Sequence, residues 1–435
     1  MGKRHSRRVG AALTTAALAA VGLATALTPA TATTAEATME EPRVVFFAID
    51  GFDAEYLDGR VELPNIEALA RRGALTAGTG VMASVTNQSW SAAATGAYPE
   101  RHLNAAYYYD PATGTVRGQS RAITGQTLGE ALVAAGKSVA SVQWFILQNR
   151  GVTYGDPDAL YTQPGGTCES RGDDAVAILE GRPVDSGGTQ VTAAEVPDFL
   201  AVYCDDVDSA GHATGDGSQE VLDALARVDE QVGRVVEATK RAGTYGQTTF
   251  LLSGDHAMTS YDHVNGPQTE AALDAAGFRA QWVGTNARPA PDTNVVLAGS
   301  GLTSVHLIGD LARDTGALAR VEEVLAGVEG IGAIYDKRAQ AAMHMAPAYG
   351  DLVAEPAPGW AMFAADAEHT RGRHGTTQEL PIAFLIAGSG VRPGATPADP
   401  RLVDLAPTIT HLLGIDAPAG AQGRALTESL VPARR

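Results

Sequence analysis

Only two cysteines, Cys168 and Cys204, occur in the 435 residues, so one internal disulfide is the most the chain can form. Spacing leaves two readings open: a pair in an oxidising compartment, or two buried thiols. A basic excess is also missing. Net charge is −18, which excludes nucleic-acid binding through a basic face. Past Leu27 no apolar run is long enough to span a bilayer. No internal repeat or heptad pattern is present, so solenoids and coiled coils are excluded. What remains, 45% hydrophobic and 6% aromatic, reads as a soluble globular chain long enough for a large α/β protein with an insertion.

The amino terminus has the pattern of an export signal. Lys3, Arg4, Arg7 and Arg8 form a charged region, and Ala11 to Leu27 is apolar. Ala30-Thr31-Ala32 supplies a cleavage motif, with Ala35-Glu36-Ala37 as an alternative. The run is weakly apolar, which favours cleavage over a membrane anchor. Residues 1–32 are therefore read as a signal peptide and the mature protein as secreted. Cleavage removes those four cations and no acidic residue, so the mature chain is more acidic still.

Three apolar runs end in acidic residues. Val44 to Ile49 leads into Asp50-Gly51. Phe199 to Cys204 leads into Asp205, Asp206 and Asp208, with His212 four residues beyond Asp208. Thr248 to Ser253 leads into Gly254-Asp255-His256. Such runs read as buried strands. Open α/β sheets bind ligands at the carboxyl ends of their strands. Helical spacing follows Pro64, with Gly73 past the helix end, spans about Thr127 to Ala135, and holds from Val221 to Val236. Val139 to Leu147 is a candidate strand. Residues 150–195 read as a long surface excursion with a helix near Asp174–Leu179. Pro381 to Ala387 is the last core strand, and a helix opens near Asp404. The class is α/β. The core is expected in residues 42–258 and 373–430, with a cap-like subdomain inserted at 259–372.

Asp50, Asp208, His212, Asp255, His256 and His374 make a mixed set that suits two divalent ions with three side chains each, zinc foremost. Three protein ligands leave a position open for chemistry. A hydroxyl in the stretch Val85 to His102, just before a helix N-terminus, is the candidate nucleophile. Five motifs then stand in order: Thr86 with Thr95-Gly96 nine residues on, Tyr98-Pro99-Glu100, Asp208-x-x-Gly211-His212, Asp255-His256-x-Met258, and His374-Gly375. With them the chain resembles the alkaline phosphatase superfamily, and within it the type I phosphodiesterase/nucleotide pyrophosphatase family.

The resemblance implies a three-layer α/β/α sandwich with a largely parallel mixed sheet and an inserted smaller subdomain. It implies Thr86 as the nucleophile, forming a phosphothreonyl intermediate. Asp50, Thr86, Asp255 and His256 match the ligands of one ion, and Asp208, His212 and His374 those of the other. The substrate would be a small phosphate ester, a diester or pyrophosphate. A phosphomonoesterase, a phosphonate hydrolase and a non-catalytic metal-binding relative are the alternatives. A sulfatase is disfavoured, because no Cys/Ser-x-Pro-x-Arg arrangement occurs. Relatives carry an aromatic residue, Pro and Asn directly after the threonine, where this chain has Asn87, Gln88 and Ser89. Their phosphoryl-contacting asparagine also lacks a counterpart, Asn104 being nearby and Tyr107 at the nominal place. A monoester's additional charge needs a cation, and Arg101 is the arginine with a case. His369 competes with His374 as a ligand, and Ser84, Ser89 and Ser91 compete with Thr86. Oligomeric state is left open.

Overall fold

The protein is described by a computed structural model over residues 41–363 and 370–431, so the signal-peptide reading and His369 lie outside the described residues. Seven strands form the central sheet in the order Gly73–Thr79, Pro381–Gly388, Thr248–Ser253, Arg43–Ile49, Phe199–Cys204, Val139–Val142, Ala159–Thr162. Only Pro381–Gly388 runs against the rest, antiparallel to both neighbours. The sheet is thus largely parallel and mixed.

Alternation along the strands explains the layers. Val45, Phe47 and Ile49 face one apolar cluster, and Val44, Phe46 and Ala48 face the other. The first cluster is closed by helices Pro64–Ala70, Cys168–Leu179 and Gln219–Arg241. The last of these buries Val221, Leu225, Val228, Val232 and Val235, the stripe its spacing foretold, and Ser218 caps it. The second cluster is closed by Thr86–Thr95, Leu128–Ala134 and Leu405–Leu412. Residues 280–356 contribute a separate five-stranded sheet, backed by helices Gly266–Ala275 and Ala317–Ala326. Among the described residues no helix is long and apolar enough to cross a membrane.

Three local expectations need correction. Residues 150–195 are not all surface: Ala159–Thr162 is a fully buried edge strand, and the helix runs Cys168–Leu179 with most of its length buried. Four residues between Asp-Pro-Asp and Gln-Pro-Gly-Gly are too short a run to stand out. Gly73 does not merely stop a helix; it starts Gly73–Thr79, where a Cβ would meet the Ile386 carbonyl at 2.0 Å. That strand lacks β-branched alternation, and backbone closeness replaces it. Val139–Leu147 splits into a strand to Val142 and a 3-10 turn at Phe145–Leu147.

Cys168 and Cys204 are paired. The bond ties the first residue of one helix to the last of the Phe199–Cys204 strand. Asp206 Oδ2 accepts from the Cys168 N–H at 2.8 Å, and buried Arg171 pairs with Asp205 at 2.6 Å. The acidic segment after the strand is therefore held from outside at three points. A sequence separation of 36 residues sets the loop entropy removed from the unfolded chain, about 4 kcal/mol in the chain-entropy model. The Cys168→Ala/Cys204→Ala protein should be less stable by up to that amount, read as a clearly lower denaturant midpoint. An unchanged midpoint would show that the crosslink adds nothing to the folded state.

Candidate active site

Adjacent strands end level with one another: Ala48 lies opposite Ser253, and Ile49 opposite Cys204. Asp50, Asp205 to His212, and Asp255-His256 therefore emerge at one rim. The antiparallel strand Pro381–Gly388 enters from that same rim, so His374 is delivered there too. Gly51 permits the closest approach. It has φ 74°, its N–H donates to Asp255 Oδ1 at 3.2 Å, and a Cβ there would lie 3.1 Å from the Asp208 backbone.

Three imidazoles are oriented in the same way. His256 Nδ1 faces the Ala257 carbonyl at 3.0 Å, His374 Nδ1 the Ser84 carbonyl at 2.8 Å, and His212 Nδ1 the Gly372 carbonyl at 3.0 Å. A carbonyl oxygen only accepts, so each Nδ1 carries its proton and each neutral ring offers Nε2 as a lone pair. Those lone pairs converge. His374 Nε2 lies 3.2 Å from His212 Nε2, and the His256 and His374 rings stack at 3.6 Å.

The carboxylates converge on the same space. Asp208 Oδ1 is 3.5 Å from His212 Nε2, 3.6 Å from His374 Nε2 and 4.0 Å from His256 Nε2. Asp50 Oδ1 and Asp255 Oδ2 lie 3.2 and 3.3 Å from His256 Nε2. Yet Asp50 Oδ1, Asp208 Oδ1 and Asp255 Oδ2 are buried without a well-directed hydrogen bond. Burial, with the Asp50 charge added, pushes Asp208 up to about 6 and Asp255 well above the ordinary carboxylate range. Burial lowers the His256 imidazole, but Asp255, Asp50 and Asp208 outweigh it and hold it up at about 10, so without a divalent ion Nε2 takes a proton, which an ion among those carboxylates would displace to free the lone pair. Burial and the His256 and His212 charges push His374 far down. Buried acceptors facing acceptors are costly unless a cation lies between them.

Two groups have ligand atoms mutually within 4.8 Å: Asp208, His212 and His374, and Asp50, Asp208 and His256. Asp208 belongs to both, and Asp255 flanks the second. The donor set, buried carboxylate oxygens and bare imidazole nitrogens, fits divalent metal ions.

Thr86 is the first residue of helix Thr86–Thr95, and Val85 holds the N-cap place without a side-chain cap bond. Its hydroxyl is 3.3 Å from His256 Nε2. The rival hydroxyls are engaged elsewhere or buried. Ser84 donates to the Thr376 carbonyl, Ser91 to the Asn87 carbonyl, and Ser89 is fully buried. Asn104 is buried, with its amide donating to Ser91 Oγ and the Ser120 carbonyl. Tyr107 is half-buried with φ 58°, packed against the apolar cluster that includes Val85 and Tyr349. Arg101 lies near Thr95, Ala97 and Gly420, at the far end of the helix from Thr86. The Arg101 case therefore fails, because a 10-residue helix separates the two ends by about 15 Å.

Sequence reading missed Tyr203, which sits within an apolar strand. Its hydroxyl donates to Asp50 Oδ2 at 2.5 Å. Burial and the Asp50 charge hold the phenol well above its usual range, so it acts as a donor. A polar-tipped ring at a strand's carboxyl end was the available signal.

The model of the type I phosphodiesterase/nucleotide pyrophosphatase family matches residues 44–377, a span that contains all seven side chains. The chain belongs to that family. Mouse ectonucleotide pyrophosphatase/phosphodiesterase family member 1 is 29% identical over 235 residues, 51% of this chain and 24% of that protein. Human family member 7 is 26% identical over 272 residues, 59% of this chain and 56% of that one. The matched segment is thus about a quarter to just over half of these relatives' lengths. Murine ectonucleotide pyrophosphatase/phosphodiesterase 5 superposes with a TM-score of 0.64 at 18% identity, covering 86% of this chain and 96% of its own. An inactive variant of that murine protein in complex with AMP gives 0.65. These likenesses establish the alkaline-phosphatase-like fold.

Proposed function

We propose that this protein is an exported hydrolase that cleaves phosphate diester or pyrophosphate bonds, with Thr86 as nucleophile and two divalent ions, zinc foremost, as cofactors. The observation that carries the reading is the convergence of three imidazole lone pairs and three unpartnered carboxylate oxygens beside one hydroxyl. Asp50, Asp255, His256 and Thr86 would hold one ion, and Asp208, His212 and His374 the other. When bound, such ions supply the positive charge that makes a hydroxyl nucleophilic at neutral pH and offsets charge on phosphoryl oxygens.

The chain's own residues do the rest. The Thr86 hydroxyl gives up its proton, its Oγ1 attacks phosphorus in line, and the leaving oxygen departs with the bonding pair and takes up a proton. A phosphothreonine results, and water then cleaves it and restores the hydroxyl. The Asn87 N–H, in the first turn of the helix, is met by the exposed Gln119 side chain at 3.0 Å, a contact that a phosphoryl oxygen can displace.

A diester suits the charges better than a monoester. The buried arginines flanking the ligands are already paired, Arg171 with Asp205 and Arg373 with Glu379. The AMP complex of the murine neighbour supports a small phosphate ester as substrate. Export is supported by the paired cysteines, since disulfides persist outside the cytoplasm. The test is a parallel assay with a nitrophenyl phosphodiester, monoester, phosphonate and sulfate. The diester should be turned over fastest. A monoester rate above it would reverse the assignment, and no hydrolysis of any ester would favour a non-catalytic relative.

A further inference from the structure

Asp50 has two oxygens with different surroundings. Oδ1 faces the cluster and has no hydrogen-bond partner, whereas Oδ2 accepts from Tyr203 at 2.5 Å. A carboxylate on the end of a strand can rotate and present either oxygen, or both. The phenol removes that freedom by engaging one.

Tyr203 is itself immobilised. Its ring is buried and meets Trp90, from the helix that begins at Thr86, edge-on at 6.2 Å. It meets Phe145 edge-on at 5.2 Å. The Arg171 guanidinium lies 5.6 Å from the ring centre. Cys204, the next residue, is tied to Cys168. One side chain thus sets Asp50 in register with the Thr86 helix and with the segment that carries Asp208.

We propose that Tyr203 is a positioning residue of the metal centre, whose hydroxyl fixes Asp50 so that Oδ1 alone faces the ions. This rests on the reading of the cluster as a divalent-cation centre. Outer partners of ligating side chains orient them, and their loss commonly costs 10–100-fold in metal affinity.

The test is Tyr203→Phe, which keeps the ring and removes the hydroxyl. Metal-free protein is titrated with zinc against a competing chelator. Binding of at least one equivalent should weaken about 10–100-fold, while stoichiometry at saturating zinc matches the parent. The metal-free melting midpoint should stay within about 3 °C, because the buried ring contacts persist. Phe145→Leu is the packing control: it disturbs the ring's surroundings, spares the hydroxyl, and should lower the midpoint with affinity kept. Affinity within about twofold of the parent in Tyr203→Phe would overturn the proposal, and so would equal losses in both variants. A parent that takes up no divalent ion at all would remove the centre itself, an outcome visible before any variant is compared.

Discussion

Thr86→Ala should lower turnover of a phosphodiester by about 10³-fold or more, equivalent to roughly 4 kcal/mol of barrier. The size follows from what is lost. No other hydroxyl among the rivals can take the place, since Ser84 and Ser91 are bonded to backbone carbonyls and Ser89 is fully buried. The residual rate would come from water attacking the phosphoryl group directly. Fold and metal content should be preserved, because six other side chains make up the cluster and the Thr86 hydroxyl caps nothing. Thr86→Ser should be far milder, as it retains the hydroxyl and loses only the methyl that restricts its rotamer. Acid quench of the parent during turnover of a labelled diester should leave phosphate on the peptide containing Thr86. A near-parental rate in Thr86→Ala with metals bound would place the nucleophile elsewhere.

The parts legible in sequence are those where one physical signal acts alone. Val44 to Ile49, Phe199 to Cys204 and Thr248 to Ser253 are buried on both faces, so they read as β-branched and apolar runs without polar alternation. Their terminal acids then announce the rim. The Gln219–Arg241 stripe was legible because its period repeats over many turns. Gly73–Thr79 and Ala159–Thr162 were not, because the first relies on glycine for close backbone contact and the second is four residues long. In the site, residue type and spacing brought forward the charged groups. They could not bring forward the Ser84 and Gly372 carbonyls or the Gly51 N–H, whose roles depend on three-dimensional proximity. Nor could spacing reveal that Asp208 stands between both groups, or that Arg101 lies beyond the far end of its helix.

That central place of Asp208 governs the largest expected loss. Exhaustive chelation should abolish hydrolysis, and zinc should restore it, because without cations the rim holds buried acceptors facing one another. Full activity in metal-free protein would sink the metal-dependent reading. Single substitutions then resolve the two groups. Asp255 flanks only the group with Asp50 and His256, so Asp255→Ala should lose about one ion of about two, read by elemental analysis. Asp208 Oδ1 lies within 4.0 Å of the Nε2 atoms of His212, His374 and His256. Asp208→Ala should therefore lose the ion between His212 and His374 outright and weaken the other as well. At limiting zinc it should retain less metal than Asp255→Ala. In the metal-free protein burial disfavours the charged form of both carboxylates. Both variants are expected to gain less melting temperature from added zinc than the parent does. Parental zinc content in Asp208→Ala would mean that the carboxylate shared by the two groups holds neither ion.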